Sequence, residues 1–428
     1  MAEDIDRNRL TLNIVIGMLA GLILGSLLYA LELPDTSLLM SHLVDGLFDI
    51  GGDLFIKSLK LLVVPLVFVS LVCGASQLGS GSSMGRIGIK TLGLYLLTTA
   101  IAVSLALTVA TSVNPGEGID LDTNAVYEPK EAPSIKEVIV DIFPNNPVEA
   151  LARGNMLQII VFALLFGYAI TRAGEMGQRV KSQFEDWNEV IMRLVMLLMR
   201  VAPFGVFCLM ISLFAHMGFE AIFGLASYFF LVLGVLVLHF LGTFTLMIRF
   251  LGRLNPLVFY RKMAGVMAYA FSTSSSNATL PVTLETVEHR LGVRNEVASF
   301  TIPLGATINM DGTAIMQGCA TVFIAQAYNI DISLMGYLMV ILTATLASVG
   351  TAGVPGVGLI TLAMVLQQVN LPVEGIALII GVDRLLDMTR TIVNVTGDAM
   401  VSTLVAKSEG MLDEEIFAND ESSKMPLM

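Results

Sequence analysis

Eight apolar runs, each about as long as a lipid bilayer is thick, leave few soluble folds open to this chain. They lie near residues 10–31, 47–77, 88–112, 154–171, 187–215, 222–248, 293–325 and 374–405. A helix needs roughly 20 apolar residues to cross the hydrocarbon core. Charged residues are 14% of the 428 and the AVILMFWYC set is 55%, where an ordinary soluble protein has about 25% charged residues. With a mean hydropathy of +0.78, too little polar surface remains to coat a water-soluble globule of this size. The chain reads as an all-α polytopic membrane protein with eight transmembrane helices. The first run follows MAEDIDRNR and no A-x-A site succeeds it, so it is expected to be a retained span and not a cleaved signal.

Two further apolar stretches have polar or helix-poor middles. Residues 256–289 contain Ser272-Thr273-Ser274-Ser275-Ser276-Asn277, and residues 332–370 contain the run from Ser348 to Gly358, with Pro355 inside it. Broken backbone at membrane depth is tolerated only where protein buries it or where it lines a cavity. Both stretches therefore read as re-entrant helical hairpins. The glycines of the second also fit plain helix packing, but Pro355 argues against one continuous helix.

Lys and Arg set the orientation. Arg86 and Lys90, then Arg172, Arg179 and Lys181, then Arg249, Arg253, Arg261 and Lys262, then Arg290 and Arg294 occupy alternate connections. The intervening loops 32–46 and 326–335 hold no base, and loop 113–150 is strongly acidic. Both termini and the first hairpin are then cytoplasmic, while the second hairpin enters from outside. Each hairpin precedes a span with polar residues. The first of these spans holds Asn309-Met310-Asp311-Gly312-Thr313, the second Asp387, Arg390, Asn394 and Asp398. Hairpin plus helix, twice and in opposite orientation, is the inverted repeat of secondary transporters, whose sites lie near the midplane where broken segments meet.

Ionisable residues at that depth cost at least about 2.5–3.5 kcal/mol each and need partners. Asp383, Asp387, Arg390, Asn394 and Asp398 recur at steps of four, three, four and four, which puts them on one helix face. The bland reading is a self-neutralising ladder, which leaves Asp398 without a base. The functional reading gives Arg390 a carboxylate and Asp387 an ammonium, which together describe aspartate or glutamate. The α-carboxylate would sit at the Ser274, Ser275, Ser276, Asn277 tip, where two half-helices end. Asp311 and Asp398 have no nearby base. With Asn309, Thr313, Asn394 and carbonyls freed between Gly350 and Gly358, they offer the oxygens a hard cation takes. A capping role for Asp311 and proton-carrying acids are the alternatives.

The remaining residues exclude other chemistry. A net charge of −12 with no basic stripe gives no basis for nucleic acid as a partner. Cys73, Cys208 and Cys319 have no CxxC spacing and read as small buried hydrophobes. His42, His216, His239 and His289 are too dispersed to imply a metal site. An intramembrane serine protease would need a base beside the serine run, and none is evident. A channel fits inverted hairpins less well than alternating access does.

At these motifs the chain resembles the glutamate/aspartate transporter family, the dicarboxylate/amino acid:cation symporters, which include archaeal sodium–aspartate symporters and mammalian excitatory amino-acid transporters. Asn309-Met310-Asp311-Gly312-Thr313 is similar to the family's NMDGT signature. The serine-rich tip through Pro281 resembles its first hairpin, Ser348 to Gly356 its second, and Asp387 to Asp398 its last helix.

The resemblance implies an elevator-type homotrimer in the cell (inner or plasma) membrane. Its domains would be 1–77 (scaffold helices 1 and 2), 88–112 (transport-domain helix 3), 113–150 (extracellular loop), 154–215 (scaffold helices 4 and 5), 222–407 (the rest of the transport domain) and 408–428 (a polar cytoplasmic tail, read as mobile). Carried over by position, substrate contacts fall on Ser276, Thr313, Val354, Gly358, Asp387, Arg390, Thr391 and Asn394. One sodium site falls on Gly305, Asn309, Asn394 and Asp398, a second on Thr307, Ser348, Val349 and Thr351, and a third on Tyr95, Thr98, Thr99, Asn309 and Asp311. Ser274 and Met388 stand where archaeal and mammalian members, respectively, carry an Arg, and Arg384, one turn before Met388, is the expected substitute. Sodium would be a co-transported ion, with no organic cofactor and no enzyme activity. The substrate would be L-aspartate or L-glutamate. Proton coupling, or a C4-dicarboxylate or neutral amino-acid substrate, is the alternative within the fold.

Overall fold

The computed structural model describes residues 2–31, 37–76, 82–117, 143–217, 220–349, 353 and 356–419. Among these every named element is helical, and an isolated bridge between Val293 and Leu412 is the only strand-like pairing. The first half holds α1 (Ala2–Ala30), α2 (Asp49–Ser76, entered through a π-helical segment Leu39–Phe48), α3 (Ser82–Val113), α4 (Pro147–Arg153), α5 (Met156–Arg172), α6 (Gly174–Met199) and α7 (Ala202–Met217). Then come α8 (Glu220–Leu238, continued by π turns His239–Phe244 and Met247–Leu251), α9 (Pro256–Thr273), α10 (Ser276–Glu285) and α11 (Asn295–Ile308). The chain ends with α12 (Asp311–Ala327), α13 (Leu334–Ser348), α14 (Val357–Gln368), α15 (Ile376–Ser408) and α16 (Glu414–Ala418).

Three described helices are long and apolar enough to cross a membrane: Leu39–Ser76, Arg86–Val113 and Gly224–Leu251. A fourth results if Gly174–Leu198 and Ala202–His216, bent by 48°, count as one. Large hydrophobics such as Leu19, Ile23 and Leu27 on α1, Leu194 and Leu197 on α6, and Phe230 and Leu241 on α8 face outward, the reverse of a soluble protein. The fold is that of a multi-pass membrane protein.

Local chemistry explains the breaks. Asn255 accepts from the Leu257 amide at 3.0 Å and Pro256 opens α9, a favourable start for a helix. Ser274, at φ 49°, ends that helix in the left-handed region. Ser275 then caps α10, its hydroxyl accepting from the Ala278 amide at 3.2 Å. Pro256–Thr273 and Ser276–Glu285 are therefore two helices joined by a two-residue tip at the polar run. In the same way α13 and α14 flank the Gly/Pro-rich run, whose residues 350–352 and 354–355 lie outside the described ones. The apolar run 293–325 is interrupted at Asn309 (φ −99°, ψ 93°) and Met310 (φ −119°, ψ 51°), neither of them helical.

Two expectations need correction. The bases Arg179 and Lys181, read as a connection between runs 154–171 and 187–215, stand inside α6. Their charges lie on an amphipathic face, where Lys181 meets Glu185 at 3.9 Å and Arg193 meets Glu189 at 3.0 Å, one turn apart. The described part of the tail, 409–419, is docked. The Arg294 amide donates to the Met411 carbonyl at 3.1 Å and the Asp413 amide to the Gly292 carbonyl at 2.8 Å. Tail residues 420–428 and most of loop 113–150 lie outside the described residues.

Packing sets the site. α1 lies on α7, and α2 on α5, α6, α7 and α14. α3 runs along α12 and α13, while α15 is wrapped by α8, α9, α11 and α12. The polar faces of α12 and α15 meet inside this wrap, next to the tip that joins α9 to α10.

Candidate functional site

The centre of the molecule is polar and buried. Arg390, Asn309, Asp311, Thr98 and Thr99 are fully buried, and Asp398 is 1% exposed. Each is held by elements the breaks create. The non-helical pair Asn309–Met310 leaves the amides at the start of α12 without intrahelical acceptors. Asn394 answers one of them, its Oδ1 accepting from the Gly312 amide at 2.8 Å. Its Nδ2 donates to Met310 Sδ at 3.3 Å.

One oxygen cluster surrounds this break. Asn309 Nδ2 donates to Asp398 Oδ1 at 2.9 Å and to the Asn394 carbonyl at 3.5 Å. Gly305 sits against Asp398: a Cβ there would lie 2.5 Å from Asp398 Oδ1 and 2.5 Å from the Tyr95 hydroxyl, so only glycine fits. Tyr95 donates to the Thr301 carbonyl at 3.0 Å. Thr99 donates to Asp311 Oδ1 at 2.7 Å, Thr98 to the same oxygen at 3.3 Å and to Asn309 Oδ1 at 3.4 Å. The first and third expected cation sets are thus brought together. The second is not joined by hydrogen bonds among its described members. The Thr307 hydroxyl donates to the Pro303 carbonyl at 3.0 Å and that of Ser348 to the Thr345 carbonyl at 2.8 Å, both on their own helices. Val349 ends α13, and Thr351 lies outside the described residues.

The second cluster is charged. Arg390 Nη1 donates to Asp383 Oδ1 at 2.7 Å and Nη2 to Asp387 Oδ1 at 2.9 Å. Arg384 Nη1 stands 3.6 Å from Asp387 Oδ2, so the residue one turn before Met388 does supply a second guanidinium beside Asp387. The buried Arg390 Nε has no hydrogen-bond partner among the described residues, and neither does Asp387 Oδ2. Thr391 donates to the Asp387 carbonyl at 2.8 Å. Thr313 and Gly358 lie alongside: a Cβ on Gly358 would be 3.3 Å from Thr313 Cγ2 and 3.6 Å from Arg390 Nη2.

The serine tip meets Gly353 in the second Gly/Pro-rich run. Ser275 Oγ donates to the Gly353 carbonyl at 2.7 Å, and the Asn277 amide donates to the same carbonyl at 3.2 Å. Ser274 and Ser276 are buried, and Ser274 Oγ has no hydrogen-bond partner among the described residues. Val354 lies outside the described residues.

Two partners were not legible from sequence. His239, dismissed there as a dispersed histidine, is fully buried with Nε2 3.2 Å from Asp311 Oδ2. The π turn that begins at His239 puts it there. The available signal was an ionisable residue inside an apolar span, which is a functional candidate by default. The partner of Asp383 is Arg390, two turns away on the same helix face.

The family comparison agrees with this geometry. The model of the sodium:dicarboxylate symporter family matches residues 10–408. A proton/sodium-glutamate symport protein of Bacillus subtilis is 33% identical over 413 residues, 94% of each chain. A proton/glutamate-aspartate symporter of Escherichia coli is 34% identical over 415 residues, 94% of this chain and 93% of that one. A C4-dicarboxylate transport protein of Rhodospirillum rubrum is 34% identical over 421 residues, 96% and 90% of the two chains. With the family motifs gathered at one buried centre and the match running almost end to end, the chain belongs to the sodium:dicarboxylate symporter family and is a cation-coupled carrier of dicarboxylates or amino acids, not an enzyme.

Proposed function

We propose that this protein is a sodium-coupled symporter for aspartate and glutamate that works by an elevator form of alternating access as a homotrimer of the cell membrane, with both termini cytoplasmic. The observation that carries the coupling is Asp398. Its carboxylate is buried with an amide from Asn309 and no basic side chain among the described residues beside it. Burying an unpaired carboxylate costs several kcal/mol after relaxation, so the site calls for a cation or a proton. The surrounding donors are a carbonyl-rich break, two amide side chains, two threonine hydroxyls and a second carboxylate. That is an all-oxygen set of the kind hard cations take.

The two clusters are mechanically one. Asn394 touches both the cation-side break and, through Gly312, the backbone of Arg390: a Cβ on Gly312 would lie 2.6 Å from the Arg390 carbonyl. Ions seated at Asp311 and Asp398 would fix this break and with it the approach to Arg390. There the guanidinium receives the side-chain carboxylate, Asp387 the ammonium, and Ser274, Ser276 and the start of α10 the α-carboxylate. Binding of ion and substrate then reinforce each other, which is what symport requires.

Proton coupling is the second reading, favoured by the same Asp398, since a protonated carboxyl also removes the buried charge. Uptake into proteoliposomes separates the two. With labelled aspartate, glutamate and succinate, an imposed sodium gradient at equal pH should drive concentrative uptake of the two amino acids. Uptake driven by a pH gradient alone would transfer the assignment to protons, and succinate as the only substrate would overturn the amino-acid reading.

A further inference from the structure

We infer that Asp383 sets this carrier's choice between acidic and neutral substrates, by holding one arm of the Arg390 guanidinium in competition with the substrate's own side-chain carboxylate. The inference rests on the reading that Arg390 receives that carboxylate. Arg390 is fully buried, and two carboxylates already engage it, Asp383 at 2.7 Å on Nη1 and Asp387 at 2.9 Å on Nη2. The two acids differ in their other contacts. Asp387 also faces Arg384 at 3.6 Å, while Asp383 has its hydrogen bond from Arg390 Nη1 at 2.7 Å. Two acids and two guanidiniums make the cluster neutral before any substrate arrives.

This arrangement treats the two substrate classes differently. A neutral side chain leaves the Asp383–Arg390 pair as it stands. An acidic side chain must share the guanidinium with Asp383, so part of its gain is offset by the charge already held there. Selectivity is a difference of affinities, and an internal competitor lowers it. Taking the charge off Asp383 removes the competitor and leaves Asp387 alone to answer two guanidiniums, a buried net positive charge that an acidic substrate meets and a neutral one does not. A role confined to positioning predicts the opposite sign, because Arg390 would lose its aim.

The test is the ratio of aspartate to alanine affinity in the full-length protein at saturating sodium, with alanine read as a competitor of labelled aspartate. The ratio does not depend on the fraction of protein that is folded. Asp383→Asn and Asp383→Ser should each raise it at least tenfold, and the rise should vanish in the Arg390→Cys background. A ratio that stays level or falls in both single variants overturns the inference. Failure of the underlying substrate reading looks different: Arg390→Cys alone would then keep near-wild-type aspartate affinity, whatever Asp383 does.

Discussion

Arg390 is the residue whose loss should be most diagnostic. Breaking a buried ion pair by removing one partner costs about 3–5 kcal/mol, which is roughly two to three and a half decades in affinity. Under the proposed roles, Arg390→Cys should therefore lose aspartate by that margin, with Asp387 and the serine tip left to hold ammonium and α-carboxylate. Sodium-dependent binding of serine or alanine by the variant is the positive readout, measured by isothermal titration. The acids of the break call for a different experiment. Removing one charged oxygen from Asp311 or Asp398 by substitution with Asn should weaken cation binding by about 1.5–3 kcal/mol. The sodium concentration for half-maximal aspartate binding should rise roughly 10- to 150-fold. An unchanged sodium response in both variants would return Asp311 to a helix-capping role. Asp387, Arg390, Asn394 and Asp398 were legible because a helix repeats its face every three or four residues, so their spacing alone put them together. His239 was not, because its partner Asp311 is 72 residues away and only the π turn in α8 aims it there.

Elements were legible where a local signal starts or stops a helix. Asn255-Pro256 starts a helix, and the serine run and the Asn309–Met310 break each stop one. The docked tail has no such signal, since a polar acidic segment reads as solvated until its distant partners are known. Lys262, on α9 and 1% exposed, is that partner. Its ammonium donates to the Arg290 carbonyl at 2.8 Å and to the Ile416 and Phe417 carbonyls at 2.7 and 2.8 Å. One lysine thus serves the C-terminal ends of two helical segments, where a cation is favoured. Lys262→Met should leave these carbonyls short of a donor, at about 1–3 kcal/mol. Amide exchange of residues 411–418 should then speed up roughly 5- to 150-fold. Where α15 ends, Glu409 meets Lys90 at 2.5 Å and Arg86 at 3.0 Å. The Lys90 hydrogen bond foremost holds its carboxyl below the ordinary glutamate range. A depressed acid stabilises the docked state at neutral pH. That contribution fades as pH falls from the ordinary glutamate value, about 4.3, through the lowered one. Exchange at 409–413 should accelerate over that acid window and not between pH 6 and 8, and Glu409→Gln should remove the acid limb.

At the scale of the molecule, the serine tip meets Gly353 of the second interrupted pair. The bond from Ser275 Oγ to the Gly353 carbonyl is the contact that joins them, backed by the Asn277 amide on the same oxygen. In an alternating-access carrier, one of two such tips must part from the other to admit ligand, and lid opening of this kind commonly sets the turnover. Gly353 belongs to a glycine- and proline-rich run, whereas the serine tip is capped on both sides. By composition, the second tip is the one we propose to part. Ser275→Ala removes the donor to a buried carbonyl, at about 1–3 kcal/mol, and should shift the tip equilibrium toward open by roughly 5- to 150-fold. A cysteine introduced at Val354, next in sequence to Gly353, reports the shift through its labelling rate from outside. Labelling should be fast in the ligand-free protein, slow with sodium and aspartate together, and faster in the Ser275→Ala background in every condition. Identical rates with and without ligand would show that this tip is not the gate. Protection that survives Ser275→Ala unchanged would show instead that the tip closes on the substrate alone, with the latch to the serine tip playing no part.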